Sequence, residues 1–117
     1  MSTNVYTYKK CSTCRKATAW LDAQGIRYTE LAIRETPPSK KELKQMLAAY
    51  DGNIKRLFNT SGMDYRALGI KDKLESMSDA QAIDLLHSNG NLVKRPFLLA
   101  ENAALVGFKE AEWGALA

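Results

Sequence analysis

At 117 residues the chain is long enough for one compact domain with a real core and too short for two ordinary ones. Hydrophobic residues make up 45% and charged residues 26%, as in a soluble globular protein and not as in a disordered chain or a fibre, and no apolar run is long enough to cross a bilayer. The net charge of +4 comes from lysines and arginines spread along the chain, so it reads as a solvated surface rather than a face for nucleic acid. Met1-Ser2-Thr3-Asn4 meets the first apolar residues without a charged leader or an apolar h-region, and a cytoplasmic protein is expected.

Val5-Tyr6-Thr7-Tyr8 has the β-branched and aromatic content of a short strand. Behind the cysteines, Ala17, Trp20, Leu21 and Gln24 recur at helical spacing, and Gly25 suits the residue that closes such a helix. Residues 26–33 read as a second strand, stopped by Pro37-Pro38. Ser39 with Glu42 forms a capping box for a helix carrying Leu43, Met46, Leu47 and Tyr50 on one face, ended by Asp51-Gly52. Residues 54–58 read as a further short helix, while 59–69 are rich in turn formers.

Ser78 with Gln81 opens another capped helix, with Ala82, Ile83, Leu85 and Leu86 inside and Asn89-Gly90 at its close. Pro96 opens the apolar run Phe97-Leu98-Leu99-Ala100, and the first residue of a strand is a tolerated place for proline. Glu101-Asn102 is expected to turn the chain into Leu105-Val106-Gly107-Phe108, and residues 110–116 make a terminal helix. The order β-α-β, helices, β-hairpin and helix implies an α/β protein with a mixed sheet covered by helices, one domain over residues 1–117. Met46 and Met63 read as packing residues, Trp20 and Trp113 as core or half-buried, and His87 as a residue at a helix C-terminus.

The only two cysteines stand in one motif, Cys11-Ser12-Thr13-Cys14. A secreted disulfide scaffold would carry more, at longer spacings. A structural zinc site needs four ligands, and one chain offers these two thiols and His87, so no metal is expected. The motif falls where the first strand meets the first helix, with Lys9, Lys10, Arg15 and Lys16 close by. A thiol at a helix N-terminus faces unpaired backbone N–H groups and the positive end of the dipole, and both favour the thiolate, which is the nucleophile. The two-residue gap lets Cys14 reach back to form a disulfide with Cys11 and release whatever Cys11 has bound.

The segment Tyr6-Thr7-Tyr8-Lys9-Lys10-Cys11-Ser12-Thr13-Cys14-Arg15-Lys16-Ala17 resembles the opening of the arsenate reductase-like family, which also holds Spx-type transcription regulators and a little-characterised group of thiol reductases. Thr36-Pro37-Pro38-Ser39, Phe58-Asn59-Thr60-Ser61-Gly62, Tyr65-Arg66-Ala67-Leu68-Gly69 and Lys94-Arg95-Pro96 extend the resemblance over nearly the whole chain. It implies a thioredoxin-like fold with a helical insertion. It further implies that Cys11 attacks, that Arg15 and Arg95 lie beside it, and that the Arg95-Pro96 peptide is cis. A guanidinium there would stabilise a thiolate and could hold an oxyanion bidentately. Taken alone, Arg15 reads equally as a solvated helix residue and Arg95 as a surface charge.

Cys11, Cys14, Arg15 and Arg95 are thus the candidate catalytic residues, with Ser12, Thr13, Asn59 and Pro96 lining a substrate site. For Asn59 and Thr60, turn chemistry is an equal explanation. The resemblance also marks a departure: glutaredoxin-dependent arsenate reductases carry two further anion-site arginines where this chain has Asn59 and Gly107. A thiol-dependent reductase is therefore expected, with arsenate itself a doubtful substrate. No cofactor is expected to be bound; electrons would come from glutathione with glutaredoxin or from thioredoxin, and these or a small thiol are the partners. The alternative is a Spx-type redox sensor that binds the RNA polymerase α-subunit. Gly52 stands at that group's polymerase-contact glycine, although a helix C-cap explains it more simply.

Overall fold

The computed structural model describes residues 3–101 and 103–116. Strand β1 (Asn4–Thr7) leads into helix α1 (Ser12–Ala23) and strand β2 (Thr29–Ala32), which pairs with β1 in parallel. Helices α2 (Lys40–Ala49), α3 (Met63–Ala67), α4 (Ile70–Lys73) and α5 (Asp79–Ser88) follow, with 3-10 turns at Ile54–Leu57, Leu74–Ser76 and Gly90–Leu92. Strands β3 (Phe97–Ala100) and β4 (Ala103–Val106) form a hairpin, and helix α6 (Glu110–Trp113) runs into a 3-10 turn at Gly114–Leu116. The sheet order is β2-β1-β3-β4, with β3 antiparallel to β1. This is the thioredoxin-like arrangement, a βαβ unit and a ββα unit sharing one sheet, with the helices from α2 to α5 inserted between them.

The period-two alternation of strands explains how one thin sheet serves two cores. Val5, Leu98 and Leu105 stand in register and pack with Ala17 and Leu21 of α1 and with Trp113. Tyr6, Phe97 and Val106 face the opposite way, onto Leu43, Met46 and Leu47 of α2 and Ala82, Ile83 and Leu86 of α5. Trp113 is fully buried and donates its indole N–H to the Gly107 carbonyl at 3.0 Å. Trp20 is half-buried and meets it edge-on.

The capping boxes at Ser39/Glu42 and Ser78/Gln81 are complete, each serine oxygen accepting from the N3 amide and each N3 side chain accepting from the serine N–H. Glu42 has a second partner: the Tyr6 hydroxyl donates to it at 2.8 Å, tying the start of α2 to the sheet. Gly25, at φ +69°, closes α1, with the Ile26 amide bonded to the Leu21 carbonyl. At the end of α2 the left-handed position after the cap is Asp51 (φ 57°), and Gly52 follows it with its amide on the Leu47 carbonyl.

Several expectations need correction. The second strand spans Thr29–Ala32 rather than residues 26–33, because Ile26 is used in closing α1. The expected short helix is present over residues 54–57 as a 3-10 helix, and the last turn of the terminal helix is 3-10 as well. α5 does close at Asn89-Gly90, but Gly90 is not left-handed there; it is buried against the backbone of Ile33, whose carbonyl a Cβ would overlap. Met63 is no packing residue, being 86% exposed. Glu101 lies in the expected hairpin turn, and Asn102 is outside the described residues. His87 is exposed near the end of α5, and its Nδ1 donates to the Pro38 carbonyl at 3.0 Å.

Candidate functional site

Cys11 is the N-cap of α1. Its backbone is extended (φ −95°, ψ 111°), its amide donates to the Tyr8 carbonyl at 2.9 Å, and its Sγ accepts the Cys14 amide N–H at 3.2 Å. In most helices an oxygen of Ser, Thr, Asp or Asn takes that place. A sulfur there meets backbone N–H groups and the positive end of the helix dipole, a position that suits negative charge. The first turn of α1 holds no acidic side chain to oppose this.

The two thiols are not equivalent. Cys11 is half-buried and open to a reactant, whereas Cys14 is 2% exposed on the inner face of α1. Burial, reinforced by hydrogen bonding to Cys11, pushes the Cys14 thiol up to about 12; the Tyr8 amide and the Arg95 charge act the other way and are outweighed. Cys14 is therefore held as a protonated thiol beside the Cys11 sulfur.

Arg15 is exposed on α1 and bends back so that Nη1 donates to the Lys9 carbonyl at 3.1 Å, bracing the loop that carries Cys11. Arg95 comes from the segment just before β3, the strand beside β1. Its guanidinium carbon lies 5.0 Å from the centroid of the Tyr8 ring, and its charge reaches Cys14. The Arg95-Pro96 peptide is cis, as the resemblance implies, with Pro96 buried and its carbonyl accepting from the Gly107 amide at 2.9 Å. Ser12 and Thr13 are exposed in the first turn of α1, between the thiols.

Asn59 is tied to the segment that leads to Arg95: its amide donates to the Leu92 carbonyl at 2.7 Å, and its own carbonyl accepts from Gly62. Gly107 has φ +70°, a conformation that disfavours a side chain such as arginine. Sequence reasoning missed Tyr8 and Arg34. Arg34 donates from Nη1 to the Tyr8 hydroxyl at 3.1 Å and lies 5.1 Å from its ring centroid, so Tyr8 carries two guanidiniums. The only signal for Tyr8 was its place in the Tyr6-Thr7-Tyr8 run before the motif. Arg34 had none.

The ArsC family model matches residues 6–116. The chain is 46% identical, over 97% of its length and 96% of the relative's, to the uncharacterized protein YusI of Bacillus subtilis (strain 168). It is 32% identical to the global transcriptional regulator Spx of Listeria innocua, over 92% of this chain and 81% of that protein. Among solved structures, an ArsC family related protein from Bacteroides fragilis superposes with a TM-score of 0.94 at 42% identity, covering 100% of this chain and 98% of the other. An arsenate reductase from Vibrio cholerae superposes with a TM-score of 0.82 at 27% identity, covering 97% of each chain.

Proposed function

Because this chain belongs to the ArsC family, we propose that it is a thiol-dependent reductase of disulfides, with Cys11 as nucleophile and Cys14 as resolving thiol. The observation that carries the reading is the unequal pair at the start of α1: an accessible sulfur at the N-cap, and a buried thiol whose own amide contacts that sulfur at 3.2 Å. In the first step the Cys11 thiolate attacks one sulfur of a disulfide R–S–S–R. A Cys11–S–S–R bond forms, the substrate S–S bond breaks, and R–S⁻ leaves. Cys14 then gives up its proton and attacks Cys11, which forms the Cys11–Cys14 disulfide and releases the second R–S⁻. The substrate gains two electrons and the protein loses two. An external dithiol such as thioredoxin or glutaredoxin, or two molecules of glutathione, returns them.

Arg95, over the Tyr8 ring and with its charge felt at Cys14, would stabilise negative charge on sulfur during the exchange, and Arg15, bonded to the Lys9 carbonyl, would steady the loop. Ser12, Thr13, Asn59 and Pro96 would shape the approach. A steady-state assay with a small disulfide, supplied with glutathione and glutaredoxin or with thioredoxin, tests the reading. Sustained turnover with at least one donor is expected; no turnover with either would contradict it.

The similarity to Spx favours a second reading, in which the same disulfide is a signal and the partner is the RNA polymerase α-subunit. Gly52 is exposed at the end of α2, with φ +79°. Slow reduction by every donor, together with redox-dependent capture of the α-subunit, would favour the sensor over the enzyme.

A further inference from the structure

A cleft of about 220 Å³ is lined by Tyr8, whose carbonyl accepts from the Cys11 amide at 2.9 Å, and by Arg34, Met63, Asp64, Asn91 and Arg95. Two like charges share one ring there, since the Arg34 and Arg95 guanidinium carbons lie 5.1 and 5.0 Å from the Tyr8 centroid. Like charges gathered in a cleft repel one another, and a counter-ion relieves the repulsion. Among the described residues neither arginine is paired with a carboxylate. Arg34 bonds to the Tyr8 hydroxyl, and Arg95 makes only a long 3.5 Å contact to the Asn91 carbonyl. Asp64 is the acid inside the cleft, and its Oδ2 already accepts from the side-chain amides of Asn89 and Asn91. On the other flank of Arg34, Glu30 and Glu35 border a neighbouring groove, where Glu30 accepts from the Thr7 hydroxyl at 2.6 Å.

We infer that this cleft is a substrate subsite for the carboxylate of a carboxylate-bearing disulfide or thiol, held by Arg34 and Arg95 over Tyr8. The inference rests on the reductase reading and names the class of substrate. Guanidinium forks match a carboxylate bidentately. The nearby Asp64 favours such a singly charged group over a dianionic phosphate. The cleft is smaller than a pocket for a whole drug-sized ligand, so it takes one end of the molecule while the sulfur lies at Cys11. Met63, 86% exposed at the rim, offers an adaptable apolar contact to the carbon chain between them.

The test compares two aliphatic disulfides, 3,3′-dithiodipropionate and the neutral bis(2-hydroxyethyl) disulfide, by their rate constants with the reduced protein. The expected result is that Arg34→Gln lowers the ratio of the two rate constants about tenfold and Arg34→Lys lowers it less. Lys71→Gln, an equal charge change on α4, should leave the ratio within about twofold. An unchanged ratio in Arg34→Gln, or an equal fall in Lys71→Gln, overturns the subsite. A second measurement needs no thiol chemistry: titration with 3-(methylthio)propionate, followed by the side-chain Nε–H resonances of Arg34 and Arg95. Saturable shifts at both support the subsite even if neither disulfide is reduced, in which case the reductase reading fails alone. No shift at either overturns the subsite while leaving the reductase intact.

Discussion

A cysteine thiol ordinarily loses its proton near 9.0, whereas Cys14 in the folded protein keeps it to about 12 because it is buried and bonded to Cys11. Between those values the unfolded chain releases a proton that the folded chain retains, so rising pH favours unfolding. The stabilisation is fully present below 9.0 and is lost as pH rises through about 12. Tyr6, also raised by burial and by its bond to Glu42, acts in the same direction above its ordinary 10.0. The denaturant midpoint of the reduced protein should therefore fall above pH 9, and less steeply in Cys14→Ala; a midpoint that climbs there would contradict a buried Cys14 thiol. At the same scale lies the substrate question. With Asn59 and Gly107 where the resemblance puts arginines, two hydrogen bonds to an anion are missing, each worth about 1.5–3 kcal/mol. Arsenate reduction should be slow beside disulfide reduction when the two are assayed with the same donors, and efficient saturable arsenate turnover would refute this. Cys11 and Cys14 were legible because spacing along one helix turn is local. The pairing of Arg34 and Arg95 on Tyr8 was not, since it joins three segments that only the tertiary fold brings together.

The helices inserted between the two halves of the sheet show where local signals suffice and where they stop. Both capping boxes lie within four residues of sequence, so Ser39/Glu42 and Ser78/Gln81 could be read directly. The same is true of Gly25, whose left-handed turn is a local event. Gly90 misled because glycine serves two different ends: a positive φ, or close approach of a second backbone. Here Ile33, just beyond β2, comes so near that only a hydrogen fits. Gly90→Ala should thus cost about 3 kcal/mol of stability by forcing the two backbones apart, as for other overpacked positions. Ser39→Ala, which removes one cap bond, should cost about 1 kcal/mol. Chemical denaturation of the two variants checks the order. Equal losses would mean that the contact between Gly90 and Ile33 yields more easily than its geometry implies.

Across the molecule, the sheet separates two cores and brings the two halves of the site together. β1 ends at Thr7 and delivers Cys11 to the N-terminus of α1, while the approach to β3 delivers Arg95 and Pro96 to the same end of the sheet. That convergence follows from β1 and β3 being antiparallel neighbours, so residues more than eighty positions apart in sequence are brought to one end of the sheet. The element order made such a sheet expected, but not which strand ends coincide. Met63 illustrates the same gap, because a methionine looks like core until the packing of the inserted helices leaves it outside. The central claim is the division of labour between the two thiols, and trapping the intermediate tests it most directly. Cys14→Ser, reduced and treated with a small disulfide, should accumulate a mixed disulfide on Cys11 by peptide mass spectrometry, whereas the unaltered protein should end as the intramolecular Cys11–Cys14 disulfide with the substrate thiols released. An adduct that forms instead on Cys14 of Cys11→Ser at a comparable rate, or an unaltered protein that retains its adduct, would contradict it.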